Sequence, residues 1–267
     1  MTPVPSPDWD AAERVCPEPH NTLYLEHLSA YELAARLVPG GVVVDVGCGH
    51  GYGAAHLARG GRKVLGVDLA RDVLVTAARR YVHPSLAYAC ADARHLGVSS
   101  GSVDLLTAFQ VVEHLADAEG FIREVARVLR PSGVALLATP NALTHVGSPN
   151  PYHHREFSPD DLKGLLARHF AHVRLAGQRR PAEIYELEAG CQTVRRWDVL
   201  GLRRRLPRTL VGPIVWAIAR WKGVTPPQRL PLTAFPLSTR TDDAYNLFAL
   251  CGHSPLPPGW LGEAASP

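Results

Sequence analysis

Five short runs rich in valine and leucine, separated by stretches with helical spacing, constrain this chain more than any other feature. They read VVVDV (42–46), KVLGVD (63–68), LAYAC (86–90), VDLLTAF (103–109) and VALLAT (134–139), and the spacing between them predicts helices near 53–59, 70–81 and 117–129. A strand exposed on one face alternates polar and apolar residues. Runs this continuously apolar therefore belong to a parallel sheet covered by helices on both faces, a doubly wound α/β sandwich.

The flanks extend this pattern. Leu25, Leu28, Leu33, Ala34 and Leu37 predict a helix over 24–37, stopped by Pro39-Gly40-Gly41. In FSPDDLKGLLARHF (157–170), Ser158 is placed as an N-cap with proline at the first helical position. HVRLAGQ (172–178) reads as a sixth strand and AYNLFALCG (244–252) as a seventh, set antiparallel. The predicted organisation is a flexible leader (1–20), a core (21–178), a helical insert between strands six and seven (179–243), and a last strand with its tail (244–267). An insert of about 65 residues far exceeds a hairpin loop, and it is expected to cap a substrate site.

Composition narrows the setting. At 46% apolar and 20% charged residues the chain reads as globular. It has no apolar run long enough to span a membrane and no secretory leader, so a cytoplasmic location is expected. Cysteines 16, 48, 90, 191 and 251 are scattered without a CxxC pair, which argues against a disulfide framework or a zinc knuckle. Arg179 to Lys222 holds ten basic and four acidic residues, more than the whole net charge of +3. Within it, TLVGPIVWAIARWKG (209–223) has the make-up of an interfacial helix, so peripheral contact with the inner face of a membrane is one expectation and a packed cap helix the other.

The chemistry concentrates at strand ends. VVVDVGCGHGYGAAHLA places Asp45 at the end of the first strand, then Gly47, Gly49, Gly51 and Gly53, then a helix. Glycines there let the backbone turn tightly and approach a ligand closely, and the following helix offers free N–H groups. Taken alone, this arrangement also suits a dinucleotide. Asp68, ending the second strand, is placed to accept hydrogen bonds from two ribose hydroxyls. Asp92, after the third strand, is placed to meet an adenine amino group, with the backbone of Ala93 reading a ring nitrogen.

These residues, with DLLTAFQVVEHL and EVARVLRPSGVALLATPN, resemble the class I S-adenosylmethionine (SAM)-dependent methyltransferases over about residues 24–178. The resemblance implies a Rossmann-like fold, SAM as cofactor, and a binding set of Asp45, Gly47, Cys48, Gly49, Gly51, Asp68, Leu69, Asp92, Ala93 and Gln110. TPN…NPYHHREFSPDDL is similar to bacterial O-methyltransferases acting on sugars or lipid-linked glycans, and more distantly to those of ubiquinone synthesis. The acceptor implied is a hydroxyl on a sugar, glycan, glycolipid or small natural product. Distant relatives carry ExxEH, thought to hold a divalent ion. Here Gln110, Glu113 and His114 stand at those positions, and a neutral amide in place of a carboxylate weakens hard-cation binding, so no metal is expected.

Methyl transfer to a hydroxyl needs alignment, exclusion of water and a base. Two clusters qualify: Gln110, Glu113 and His114 after the fourth strand, and His145, His153 and His154 after the fifth. The expected catalytic set is Glu113, His114, His153 and His154, with His153 or His154 facing the acceptor and His114 near the transferred methyl. Competing readings find less support. RNA methylation would use the basic insert, but the NPPY-like motif of amino-methylating DNA enzymes is missing after the fourth strand, where FQVVEH stands. Methylation of a nitrogen or carbon in a small metabolite stays open. An NAD-dependent oxidoreductase would need a proton donor such as a YxxxK pair, which is lacking. A non-catalytic binding module would not need Asp45, Asp68 and Glu113 intact.

Overall fold

A computed structural model describes residues 22–144, 150–181, 184 and 230–261. The chain divides into two compact units, Met1–Arg179 with Pro236–Pro267, and Arg180–Phe235. In the second unit Leu232–Ala234 forms a 3₁₀ turn. The segment 209–223 and most of the basic insert lie outside the described residues.

The first unit is built on one mixed sheet. Its strands are β1 (Val42–Val46), β2 (Lys63–Asp68), β3 (Leu86–Cys90), β4 (Val103–Phe109), β5 (Leu129–Pro140), β6 (His172–Gln178), β7 (Leu237–Ser238) and β8 (Asn246–Gly252). They lie in the order β3-β2-β1-β4-β5-β8-β6-β7. β1 to β5 pair in parallel, and β8 enters antiparallel between β5 and β6. The fold is thus the expected Rossmann-like α/β architecture, with eight strands where seven were predicted. The additional β7 has two residues, pairing with Gly177 and Gln178, and is too short to show any periodicity.

A second difference lies in β5, which begins at Leu129 and not at Val134. Arg130-Pro131-Ser132-Gly133 reads as a turn, and it accommodates a shift of register against β4 between Val103 and Leu105. Gly133 is required there, because a Cβ would stand 2.6 Å from Val103 O.

Among the described residues, five helices cover the sheet: α1 (Thr22–Leu37), α2 (Tyr52–Ala58), α3 (Arg71–Arg80), α4 (Ala118–Val128) and α5 (Pro159–Ala167). Phe121, Ile122 and Val125 of α4 and Leu162 and Leu166 of α5 pack with Val44, Leu106 and Leu137 on one face. Leu33 and Ala34 of α1 and Leu57 and Ala58 of α2 pack with Val43, Leu105 and Leu136 on the other. Neighbouring strand residues thus point to opposite helical layers, which is why the inner strands read as unbroken apolar runs. Ser158 caps α5 as its sequence predicts, accepting the N–H of Asp161 at 3.2 Å. No helix among the described residues is long and apolar enough to cross a membrane.

Candidate active site

The carboxyl ends of β1 to β4 open on a cavity of about 910 Å³, the position at which doubly wound sheets bind ligands. Its near wall is the turn after β1. Gly47, Gly49 and Gly51 all have positive φ, at 68°, 49° and 78°. A Cβ at Gly47 would strike Val111 at 2.5 Å and one at Gly51 would strike the Tyr88 hydroxyl at 2.5 Å, whereas Gly49 faces open space. The backbone here is exposed to a ligand in a conformation that side-chain-bearing residues avoid.

Asp68 holds this turn in place. Its Oδ2 accepts the N–H of Gly49 at 2.9 Å and its Oδ1 accepts that of Ala70 at 2.9 Å. Both oxygens are thereby oriented, and a carboxylate retains further lone pairs for hydroxyl donors. Asp92 lies on the same wall in a fork with Arg94, at 2.6 Å between Oδ2 and Nη2. Hydrogen bonding to that guanidinium holds Asp92 at about 2, below the usual carboxylate range. Asp92 is therefore a fixed anion beside Ala93.

Asp45 lies beneath the turn and is fully buried. Thr107 Oγ1 donates to its Oδ1 at 2.7 Å, and the Tyr31 hydroxyl lies within 3.2 Å of both oxygens. Burial pushes the Asp45 carboxyl up to about 7, opposed by these hydrogen bonds and reinforced by the nearby charge of Asp68. The Tyr31 phenol is raised well above its ordinary value by burial and by Asp45, so it stays a donor. The ring of Tyr31 fits because Gly53 lacks a Cβ, which would stand 1.9 Å from its Cζ.

Gln110 follows β4 with φ of 56°, the one non-glycine residue with positive φ among the described residues. Its N–H donates to Ala138 O at 2.8 Å and its Nε2 to Asn246 Oδ1 at 3.3 Å, so two neighbouring strands hold a conformation that costs about 1–3 kcal/mol. Beyond it, Glu113 and His114 form a 3₁₀ turn, Val112–His114. His114 Nδ1 lies 3.1 Å from Tyr152 O, and the backbone N–H groups of His154 and Arg155 reach Glu113 O at 2.8 and 3.3 Å. The post-β4 and post-β5 segments therefore close on each other.

The sequence-predicted residues divide between wall and support. Gly47, Cys48, Gly49, Asp68, Leu69, Asp92, Ala93, Gln110, His114 and His154 line the cavity. Asp45 and Gly51 support the turn from behind. Glu113 is fully buried, with Thr139 Oγ1 donating to its Oε2 at 2.9 Å. His153 is not among the residues that line the cavity and lies between Glu156 (Nδ1 to Oε1, 3.2 Å) and Asn150 (Nε2 to Nδ2, 3.0 Å). His145 lies outside the described residues.

Sequence reasoning missed His27, Tyr31, Tyr52 and Tyr152, all of which line the cavity. The Tyr52 hydroxyl lies 3.1 Å from His27 Nδ1, and the Tyr52 ring packs edge-on against Tyr24 and Tyr31. One signal was present: Tyr24, His27 and Tyr31 follow helical spacing and give α1 a face of polar-tipped rings.

Comparison with known proteins gives a consistent picture. Residues 44–137 match a family model described as a methyltransferase domain. A probable S-adenosylmethionine-dependent methyltransferase of Mycobacterium tuberculosis is 35% identical over 176 residues, 63% of this chain and 63% of that protein. A ubiquinone biosynthesis O-methyltransferase of a Caulobacter species is 32% identical over 143 residues, 47% of this chain and 57% of that protein. The chain thus spans less than two thirds of the length of these relatives. The crystal structure of a SAM-dependent methyltransferase from Thermotoga maritima is similar at 15% identity, with a TM-score of 0.58 over 88% of this chain and 92% of that one. At that identity the likeness concerns the fold alone.

Proposed function

From the premise that the chain belongs, through this domain, to the class I SAM-dependent methyltransferase family, we propose that it methylates a hydroxyl oxygen on a sugar, glycan, glycolipid or small natural product. One observation carries the reading: the glycine turn with Asp68 and Asp92 lines the same cavity as His114 and His154. A nucleotide-type cradle and proton-accepting groups thus share one enclosure.

The residues present fit SAM. The open space over Gly49 is a cradle a side chain would fill, and the oriented Asp68 carboxylate suits a pair of ribose hydroxyls. Asp92 and the backbone of Ala93 would meet the adenine, and the Asp45-supported turn the methionine end. When bound, the cofactor supplies an electrophilic methyl group on a sulfonium. The remaining work falls to this chain's own groups. Tyr31, Tyr52 and Phe109 give the cavity an aromatic wall that limits water. His154 takes the proton of the acceptor hydroxyl, which raises the oxygen's nucleophilicity, and His114 stands beside it to orient the oxygen. His153, which faces Glu156 and Asn150, is a supporting residue in this scheme.

Mass spectrometry of metabolites and glycans from a deletion strain tests the reading: a species lacking one methyl group on oxygen is expected. Restoration by the wild-type gene and failure of His154→Ala would support the base role, because losing a general base costs about 10²–10⁴ in rate. An unchanged methylation profile would overturn the acceptor assignment. Peripheral membrane contact through residues 209–223 belongs to the same reading, and failure of the protein to float with anionic vesicles would remove it.

A further inference from the structure

A chain of side-chain hydrogen bonds runs from α1 to the cavity wall, and donation along it has one direction. It starts at a backbone carbonyl: Ser29 Oγ donates to Glu26 O at 2.6 Å. A hydroxyl has a single hydrogen, so toward its next neighbour, Gln178 Nε2 at 3.0 Å, Ser29 Oγ can only accept. That fixes the Gln178 amide, whose Oε1 then accepts from Asn246 Nδ2 at 3.1 Å. Asn246 Nδ2 donates to Glu26 Oε1 as well, so Oδ1 is the accepting end of Asn246 and takes Gln110 Nε2 at 3.3 Å. The two ends of an amide are nearly alike in shape, and a network of this kind decides which way each one points.

The fold gathers these groups at one edge of the sheet. Asn246 is the first residue of β8 and Gln178 the last of β6, opposite each other in the antiparallel ladder. β8 runs against β5, so its start lies beside Pro140, at the edge where β1 to β4 open on the cavity. Glu26, Asn246 and Gln178 are all buried, where no water replaces a broken link. Apolar side chains would fill the same space without the cost of desolvating polar groups, so the network calls for a role beyond packing. Its far end is Gln110, which lines the cavity with its backbone already held at φ of 56°.

We infer that Ser29, Gln178 and Asn246 are positioning residues that act through Gln110: they fix its amide so that Oε1 is the end offered to the cationic part of SAM. The inference rests on the reading of Gln110 as a member of the cofactor set, and it does not depend on which atom of the acceptor is methylated. SAM carries two groups of this kind, the ammonium of its methionine portion and the sulfonium, whose charge polarises the methyl hydrogens. An amide with its oxygen forward attracts either one, whereas a flipped amide would present only N–H groups and repel both. Orienting that dipole before the ligand arrives removes the cost of ordering it on binding.

Calorimetric titration of the full chain with SAM, and separately with S-adenosylhomocysteine, tests this with no acceptor present. Gln110→Ala should weaken SAM binding by about 10-fold, as for a lost hydrogen bond to a charged group, and Asn246→Ala by about 3–10-fold. The double variant should lose no more than Gln110→Ala alone, because Asn246 reaches the ligand through that amide. A purely structural role for Asn246 would instead make the two losses add. Ser29→Ala sits at a half-buried helix position that accepts alanine well, and it carries the test if Asn246→Ala does not fold. It removes the anchor of the chain and should weaken SAM binding by about 2–5-fold, with no further loss in the Gln110→Ala background. Equal losses with both ligands would assign the ammonium and a loss confined to SAM the sulfonium, and either result supports the positioning role. Additive losses, or wild-type affinity in both Asn246→Ala and Ser29→Ala, would overturn it. Unchanged affinity in Gln110→Ala would overturn it as well, by removing Gln110 from the cofactor set.

Discussion

The carboxylate of Asp68 accepts the backbone N–H of Gly49 at 2.9 Å, across 19 residues of chain. Its other oxygen takes the N–H of Ala70 at 2.9 Å, so a single side chain fastens the turn after β1 to the loop after β2. The two strands are already in register, with Val46 opposite Val67, and the clasp orients the loops at their ends. Asp68→Ala removes the clasp and, with it, the proposed acceptor for ribose hydroxyls. Hydrogen bonds to a charged group contribute about 1.5–3 kcal/mol, so SAM affinity measured by calorimetry should fall about 10–100-fold. Affinity within about threefold of wild type would remove Asp68 from that role.

Two glycines should respond to alanine with opposite signs. At Gly53 a Cβ would stand 1.9 Å from Tyr31 Cζ and would push away a donor to Asp45, so Gly53→Ala should cost about 1–3 kcal/mol in urea unfolding and weaken SAM binding. At Gly164, on the exposed side of α5, a Cβ would meet nothing within 4 Å, and Gly164→Ala should stabilise by about 0.5–1 kcal/mol through helix propensity. Equal effects at both positions would refute the steric account.

These contacts also mark what the sequence made legible. β1 to β4, β6 and the cap of α5 were readable, because each depends on local patterning: short apolar runs bounded by turn residues, or serine and proline at a helix start. β7 was not, since two residues carry no period and their pairing is decided by where β6 ends. The cofactor-side candidates follow directly after strands, so counting along the chain was enough to place most of them on one cavity. Tyr31 and Tyr52 meet the site only through the packing of α1 on α2, which depends on the missing Cβ of Gly53. His153 and His154 are adjacent in sequence and equivalent in chemistry. Only the turn of the backbone sets one against Glu156 and leaves the other among the residues that line the cavity.

Asp45 should make stability depend on pH in the direction opposite to most aspartates. Its folded value is about 7 against an ordinary 3.8, so the folded protein holds a proton that the unfolded chain releases. The stability this contributes is complete below about pH 4 and is lost as pH rises toward 7, at about 1.4 kcal/mol per pH unit. Asp45→Asn cannot titrate and should lack that slope, so in urea unfolding its stability relative to wild type should increase from about pH 5 to pH 7. Parallel pH profiles for the two proteins would mean that Asp45 is ionised throughout, with its charge fully compensated by Thr107 and Tyr31.

Asn141 follows the last parallel strand, β5, and should be sensitive to the exchange of a single heavy atom, its amide nitrogen for an oxygen. It is fully buried, and its Nδ2 donates to Thr241 O at 2.8 Å and Ala244 O at 2.9 Å, while its Oδ1 accepts the N–H of Leu143 at 3.1 Å. These bonds tie the exit of β5 to the chain entering β8, the antiparallel strand beside it. Asn141→Ala leaves two buried carbonyls and an N–H without that partner and should cost about 1–3 kcal/mol. Asn141→Asp preserves the shape but sets a carboxylate oxygen against two carbonyl oxygens. The repulsion, or the forced protonation of the acid, should make it the more damaging variant, by about 3 kcal/mol or more at neutral pH, and its deficit should shrink as pH falls. Urea unfolding at neutral and mildly acidic pH separates the two effects, and an aspartate variant no worse than alanine would show that Asn141 acts by filling space and not by donating hydrogen bonds.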